Sequence, residues 1–583
     1  MAAAQAVKNI GMINLKIDMT TQKIDLEPVP DDQRTLGGRG LVAAIANKEI
    51  PPGCDPLGPE NKLILAPGLF ARAGISSALR FSVGGKSPLT GGIRESNAGG
   101  TTARAVASLG LKSVVISGRP KPGQTFILVI RPEGAELLEN PELAGLGAYQ
   151  TAGALKKRFG PNTAALLIGP AGERLSLAAC ALNLDYQGRP SRANGRGGLG
   201  ALMGSKGLKA VVVIPPAKVN LAKKATIFPE LQPVVDRYCR VIKESTNTQN
   251  YHQYGTALTG DIADSIGCLP TQNFHRGSFE GKPKILGKTV RRLILERGGA
   301  GNPSHTCTPG CIVGCSNVFP DRNGKELVSP LDYEAIASIG SNLCIDDIDA
   351  IARLYWLIND LGIDVIEAGA SLALLMDEGV LPWGDAGACE KALKTAYTGD
   401  YPGYLIANGL VVTAKHRGVD RIAAVKGMAF AAFDPRAIKG LGVTYATSPQ
   451  GADHTAGHTI RKKIDHHQVA GQVDLSFTTQ IQAAVYDTLG ICFFATGALN
   501  GKEEVVVELY NLVTGEQKDF SQLEEEARRT IALEYRFNQA AGFSPADDRL
   551  PEFCYSEPLP PANITFNIDQ ARLAEAIKEY ILS

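Results

Sequence analysis

Charge of one sign is missing from this sequence in any surplus: 60 Lys and Arg stand against 59 Asp and Glu, a net charge of +1. Polyanion binding needs a strong basic excess, so nucleic acid and an anionic membrane surface are excluded as main partners. Long apolar runs are missing too. Stretches such as Ala210 to Ile214 fall far short of the roughly 18 residues that a membrane span needs. Cysteine is sparse, with 11 in 583 residues, and Met1 to Met12 carries no apolar leader. A disulfide framework is therefore not expected, and a reducing cytoplasm is. Internal repeats and low-complexity tracts are also absent.

What is present is enough chain for two to four domains. The first part reads as β-rich. Met12 to Asp18 and Lys23 to Glu27 alternate apolar with polar residues around a Thr-Thr-Gln turn, a hairpin signal. Further strands are expected at Leu63 to Leu65, Leu79 to Val83, Ser113 to Ile116, Thr125 to Ile130 and Lys209 to Ile214, with a short helix from Thr102 to Leu109. After Pro215-Pro216 the apolar spacing becomes helical, as in Leu331 to Leu343, Asp347 to Leu361, Val365 to Asp377, Cys389 to Tyr397 and Ser521 to Phe537. The fold class is α+β: a β-rich domain over 1–215, then two mainly helical domains over 216–430 and 431–583.

Against the thin cysteine background, Cys307, Cys311 and Cys315 fall within nine residues, in a Gly/Pro-rich loop between helical regions. Thiols so placed read as ligands. Zinc sites usually add a second cysteine pair, which this chain lacks. Buried free thiols remain the bland reading. A four-iron cluster needs a fourth thiolate, for which Cys492 in Asp487-Thr-Leu-Gly-Ile-Cys492 is the candidate.

Glycine-dense loops at Gly37 to Gly40, Gly84-Gly85, Gly91-Gly92, Gly99-Gly100 and Gly195 to Gly200 would let backbone amides approach a large anionic ligand, or merely turn corners. Gly195 to Gly200 spells G-x-G-x-x-G, but the expected preceding strand, long following helix and acidic residue about 20 positions on are not apparent, so a dinucleotide fold is not expected. His454 and His458 stand four apart without the glutamate of a zinc-hydrolase motif. His466 and His467, after Arg461-Lys-Lys463, are expected at a surface.

The chain resembles the aldehyde ferredoxin oxidoreductase family. The resemblance runs nearly end to end through Gly37-Gly-Arg-Gly-Leu41, Lys86-Ser-Pro-Leu-Thr-Gly91, Ser96-Asn-Ala-Gly-Gly100, Arg192-Ala-Asn-Gly-Arg-Gly-Gly198, Met203-Gly-Ser-Lys206, Tyr333-Glu334, Leu361-Gly-Ile-Asp364, Asp487 to Cys492 and Asp547-Asp-Arg-Leu-Pro-Glu552. It implies tungsten or molybdenum held between two pyranopterins, beside a [4Fe-4S] cluster. It assigns Arg80, Asn97, Gly99, Arg192, Ala193 and Gly195 to the pterins from the strand side, and Asn359, Ile363, Asp364, Asp487, Ile491 and Phe493 from the helical side. Magnesium would take the backbone carbonyls of Asn97 and Ala193. Cys307, Cys311, Cys315 and Cys492 would ligate the cluster, with His305 the alternative to Cys307.

Three departures stand out. The cysteine spacing is C-x3-C-x3-C where the family usually has C-x2-C-x3-C. Asn359 replaces the aspartate that leads the first pterin motif, and Gln450 replaces an arginine before the active-site histidine. By resemblance Glu334 is the general base and His454 the donor to the substrate oxygen. The implied activity is oxidation of an aldehyde to an acid, with electrons leaving to ferredoxin or a small iron-sulfur subunit. The alternatives are reduction of an aromatic acyl-CoA or another small carbonyl compound, and a non-catalytic electron-transfer subunit. A homo-oligomer is compatible with each.

Overall fold

The computed structural model describes residues 13–583; the reading of Met1 to Met12 lies outside them. Two six-stranded sheets form the first part, and the class is α+β. The first sheet takes β1 (Ile13–Asp18), β2 (Lys23–Pro28), β3 (Leu63–Pro67), β4 (Phe81–Lys86), β5 (Ile93–Ala98) and β6 (Leu111–Ser117) in the order β2-β1-β6-β3-β4-β5. The second takes β7 (Phe126–Arg131), β8 (Gly134–Glu139), β9 (Ala164–Leu167), β10 (Ala181–Asn183), β11 (Arg192–Asn194) and β12 (Leu208–Val213) in the order β11-β10-β9-β12-β7-β8. β1 runs parallel to β6 and β12 to β7; the other pairings are antiparallel.

Strand alternation explains the layering. Leu63, Leu65, Phe81 and Val114 of one sheet share a core with Phe126, Leu128, Leu166 and Val211 of the other, so the two sheets pack face to face. The alternate residues Ile64, Ala66 and Val115 pack outward with Leu41, Val42 and Ile45 of the Gly38–Glu49 helix. Ile127, Val129 and Ala210 do the same with Ala148, Ala152 and Leu155 of the Ala148–Phe159 helix. Apolar runs such as Phe126 to Ile130 are buried on both faces for this reason.

The remaining chain is largely helical around one continuous core that runs from Leu69 to Ile581. Expected helices appear, Val365–Asp377 with the expected ends and Tyr333–Ser338, Ile348–Leu361, Ala386–Lys394 and Phe520–Ala540 with shifted ones. The helical expectation is corrected at two places, one of them the two-stranded sheet of Ala424–Val425 and Met428–Ala429. β13 (Asn302–His305), β14 (Ser316–Pro320) and β15 (Glu326–Val328) form a small sheet, and the cysteine run is the loop between β13 and β14, not a link between helices. No single helix among the described residues is long and apolar enough to cross a membrane.

Candidate active site

A cavity of about 580 Å³ opens where β5 and β11 meet the helical part. Of the residues singled out from the sequence, Arg80, Asn97, Ala193, Gly195, Glu334, Asn359, Ile363, Asp364, His454, Asp487, Ile491 and Phe493 all line it. Gly99 instead lines a second, smaller cavity together with Cys307, Cys311, Cys315 and Cys492. Arg80 lines both.

Two helix ends carry the helical-side residues. The Ile348–Leu361 helix closes on Gly362, and the Gln472–Leu489 helix on Gly490, each glycine in the left-handed region (φ 72° and 80°). In both, the amide after the glycine folds back onto the last turn: Ile363 N–H donates to Ile358 O at 3.1 Å, and Ile491 N–H to Tyr486 O at 2.9 Å. Each glycine also meets a glycine that follows a strand of one sheet. A Cβ on Gly362 would lie 2.8 Å from Gly169 N, and one on Gly490 would lie 2.7 Å from Gly68 Cα. Gly68 follows β3 and Gly169 lies just after β9, so each helix turn is docked on its own sheet.

From the strand side, Arg80 is fixed by its own target. Its Nε donates to Asn97 Oδ1 and its Nη2 to Asn97 O, both at 2.6 Å, while Asn97 Nδ2 donates to Asp487 Oδ1 at 3.0 Å. Burial pushes Asp487 up to about 6, against the pull of Arg39 and Arg80. Burial, reinforced by Asp487, pushes Glu95 to about 7. Arg196 reaches Asp364 Oδ2 at 3.3 Å and donates to Ala452 O at 2.6 Å. Glu95 Oε1, Asn359 Nδ2 and His454 Nδ1 are buried polar atoms without a partner among the described residues, on residues that line the cavity. Arginines, amides and unpaired polar atoms around a deep space fit a large anionic cofactor.

The cysteine cavity fits a cluster better than a single ion. No three His, Cys, Asp or Glu side chains among the described residues converge as one metal ion would require; the four thiols ring a shared space instead. Cys492 N–H donates to Ser77 O at 2.7 Å, and Ser77 Oγ lies 3.3 Å from Cys311 Sγ. Burial, with Cys307 and Cys492 alongside, pushes the Cys311 thiol up to about 11. Four mutually repelling thiolates need a positively charged core to hold them ionised. His305 is turned away, with Nε2 3.3 Å from Asp185 Oδ2 and its ring stacked on Tyr186, which leaves Cys307 in the ring.

Also on the cavity lining, Glu334 sits in the first turn of the Tyr333–Ser338 helix, capped by Asp332. Its Oε1 lies 3.2 Å from His454 Nε2, and its Oε2 accepts from Ala432 N at 3.1 Å. Tyr333 Oη donates to Ala432 O at 2.5 Å, so the residue whose N–H holds Glu334 is also held through its carbonyl. Burial raises Glu334 to about 8 and lowers His454 to about 4, the latter offset in part by Asp453. Around neutrality both are therefore uncharged, with the proton on the carboxyl group. Asp453, though buried, is held well below the usual carboxylate range by Arg94, whose Nη2 donates to its Oδ2.

Several sequence readings are corrected here. Arg192 is not among the cavity's lining; its Nη1 donates to Ser316 Oγ at 2.9 Å and its Nη2 lies 3.6 Å from Asp185. Arg196, four residues on in the same Arg-Ala-Asn-Gly-Arg run, takes the lining position that the sequence reading gave to Arg192. Gln450 is turned from the cavity too, its Oε1 accepting from Glu95 N at 2.9 Å. Gly38 to Gly40 begin a helix rather than a loop, and a Cβ on Gly38 would strike Asp487 O at 2.1 Å. A short strand, β11, does precede Gly195 to Gly200, and only the seven-residue Leu199–Ser205 helix follows. His466 is buried and not at a surface, and His467 is half-buried with Nε2 2.8 Å from Ile266 O. Arg94, Asp453, His458 and the Arg461-Lys-Lys463 segment were missed as cavity groups.

Known proteins resemble this chain over most of its length. Residues 14–215 match the family model "Aldehyde ferredoxin oxidoreductase, N-terminal domain", and residues 233–581 match "domains 2 & 3" of the same family. The tungsten-containing aldehyde ferredoxin oxidoreductase of Thermococcus kodakarensis is 30% identical over 577 residues, covering 94% of this chain and 91% of that protein. The Pyrococcus furiosus enzyme of the same name is 29% identical at the same coverage. A Pyrococcus furiosus aliphatic sulfonate oxidoreductase, WOR-like subunit, is 27% identical over 86% of this chain and 81% of its own. Among solved structures, the active-site complex BamBC of benzoyl coenzyme A reductase has a TM-score of 0.78 at 20% identity, covering 98% of this chain and 94% of that one, a likeness of fold.

Proposed function

The chain belongs to the aldehyde ferredoxin oxidoreductase family of oxidoreductases, and on that premise we propose that it oxidises an aldehyde to a carboxylic acid at a tungsto- or molybdo-bispterin centre. The observation that carries the proposal is the pairing of Glu334 and His454, 3.2 Å apart, in the same cavity as Arg80, Asn97, Asp364 and Asp487. Arg80, Arg196, Asn97, Asn359, Asp364 and Asp487 would hold the cofactor, with Ile363, Ile491 and Phe493 packed against it and Gly195 and the Gly99 turn giving close backbone approach. Magnesium would take the carbonyls of Asn97 and Ala193. When bound, the cofactor would supply the two-electron redox chemistry. A [4Fe-4S] cluster on Cys307, Cys311, Cys315 and Cys492 and a ferredoxin or small iron-sulfur subunit would provide the exit for electrons, in the cytoplasm.

This chain's own residues handle the proton. In the oxidising direction Glu334 takes a proton from the attacking water, and it can do so only after losing its own. His454, neutral, orients the substrate oxygen. A carboxyl group raised to about 8 makes turnover in this direction climb as pH rises through that value. In the reducing direction the protonated carboxyl group is the competent form, and turnover falls through the same range. A second reading, reduction of an aromatic acyl-CoA, is favoured by the adjacent cations Arg461, Lys462 and Lys463 on the cavity lining.

The test is a screen of aldehydes and aryl thioesters across pH, with Glu334→Gln beside the parent. General acid-base groups contribute roughly 10²- to 10⁴-fold, so the variant is expected to lose that much turnover and the pH limb with it, at unchanged metal and iron content. Parent-like activity in Glu334→Gln would remove the carboxyl group from the mechanism.

A further inference from the structure

The two ends of the cavity are built differently. At the buried end every arginine has a defined partner: Arg80 holds Asn97, Arg94 holds Asp453, and Arg196 holds Asp364. At the open end, where Asn247, Gly497 and Asn500 are exposed, Arg461, Lys462 and Lys463 line the cavity, and none of the three has a carboxylate within 4.0 Å among the described residues. Arg461 is held in place without an acid. Its Nε donates to Tyr251 Oη at 3.0 Å, and its guanidinium lies over the rings of Tyr251 and Phe493 at 4.5 and 4.6 Å. Burial pushes Lys462 downward, offset only in part by the more distant Glu503, and an arriving anion would relieve the remaining cost.

Aromatic rings link this end to the reacting pair. His454 stands 5.7 Å from His458 between ring centres, His458 stands 5.8 Å from Phe493, and Phe493 carries Arg461. A substrate with its reacting oxygen at Glu334 and His454 and a charge at the cations would run along these rings.

We propose that Arg461, Lys462 and Lys463 recognise an oxyanion group, carboxylate or phosphate, on the far end of the substrate. This rests on the reading of Glu334 and His454 as the reacting end. A resident cofactor would be gripped at the buried end; cations beside an exposed rim are placed for a ligand that exchanges.

The experiment uses the holoenzyme with 4-carboxybenzaldehyde and its methyl ester, which differ at the far end chiefly in charge, and the variant Lys462→Met/Lys463→Met. Charge-assisted contacts of this kind correspond to roughly ten- to hundredfold. The parent should prefer the acid by that ratio in kcat/KM, mostly through KM, and the variant should bring the ratio close to one. A second arm reads binding alone: terephthalate or adenosine 3′,5′-bisphosphate should raise the parent's melting temperature but not the variant's, and which of them does so separates carboxylate from phosphate. If neither aldehyde is turned over, the aldehyde reading fails, and the binding arm still decides the anion site. An unchanged ratio, protection by neither anion, or loss of metal and pterin from the variant would overturn the proposal, the last by assigning these cations to the cofactor.

Discussion

The two helix turns that face the cavity, Asn359 to Asp364 and Asp487 to Cys492, use one backbone device with different side chains. Both end in a left-handed glycine pressed against a glycine of one sheet, and both start the next helix, where Asp364 caps Val365–Asp377 and Cys492 caps Phe493–Leu499. Yet the first leads with an amide and closes with a carboxylate held by Arg196, while the second leads with a carboxylate held by Asn97 and closes with a thiol. The backbone of each turn is dictated by a contact that admits no Cβ. The side chains at its ends are free to serve different neighbours, the ring of cysteines in one case and the strand-side arginine in the other.

Exchanging roles at the closing residues gives the largest expected effect. Cys492→Ala should strip nearly all iron and sulfide, because thiolates hold this cluster type, whereas Asp364→Ala, its counterpart, should keep the iron and lower the pterin and metal content. Iron that survives in the first variant, or disappears equally from both, would break the comparison.

Next come the glycines. Gly362→Ala and Gly490→Ala should each cost about 2–5 kcal/mol in denaturant melts, from a left-handed alanine plus overpacking against the sheet. Gly418, at φ 70° with nothing within 4 Å of a built Cβ, is the control: alanine there should cost only the backbone strain, about 1–2 kcal/mol. Equal costs at all three positions would mean that the glycine-to-glycine contacts carry no weight.

The smallest effect is expected at Asn359→Asp, which makes the leading residues alike. A carboxylate buried there is raised above its unfolded pKa, as burial raises Asp487. Its stabilising protonated form is fully present below the unfolded value and is lost as pH rises through the folded one. The variant should therefore match the parent near pH 4 and fall progressively behind it at higher pH, by roughly 1–3 kcal/mol at pH 8. A variant as stable as the parent at pH 8 would show that a cation or solvent already neutralises the site.

The same contrast explains what could be read from the sequence. Strand alternation and helical spacing placed most elements, because burial imposes its period on residues such as Leu63 to Leu65 and Val365 to Asp377. Dense glycine signals a turn or close approach to a ligand, yet Gly37 lets one backbone touch another, as do the isolated Gly68 and Gly169, which only the assembled contact reveals. Side-chain direction was equally hidden. Arg192 and Arg196 belong to one motif, and it is the partner at Ser316 or at Asp364 that decides which of them faces the cavity. The open-end cations escaped notice because Arg461-Lys-Lys463 reads as an ordinary solvated charge run until the cavity is seen to end there.

The central claim is that one chain holds a bispterin metal centre and a four-iron cluster side by side, joined at Arg80. Metal, pterin and iron analysis of anaerobically purified holoenzyme tests it most directly. One tungsten or molybdenum, two pterins and about four irons per chain are expected; pterin and metal without iron, or iron without pterin, would contradict the claim.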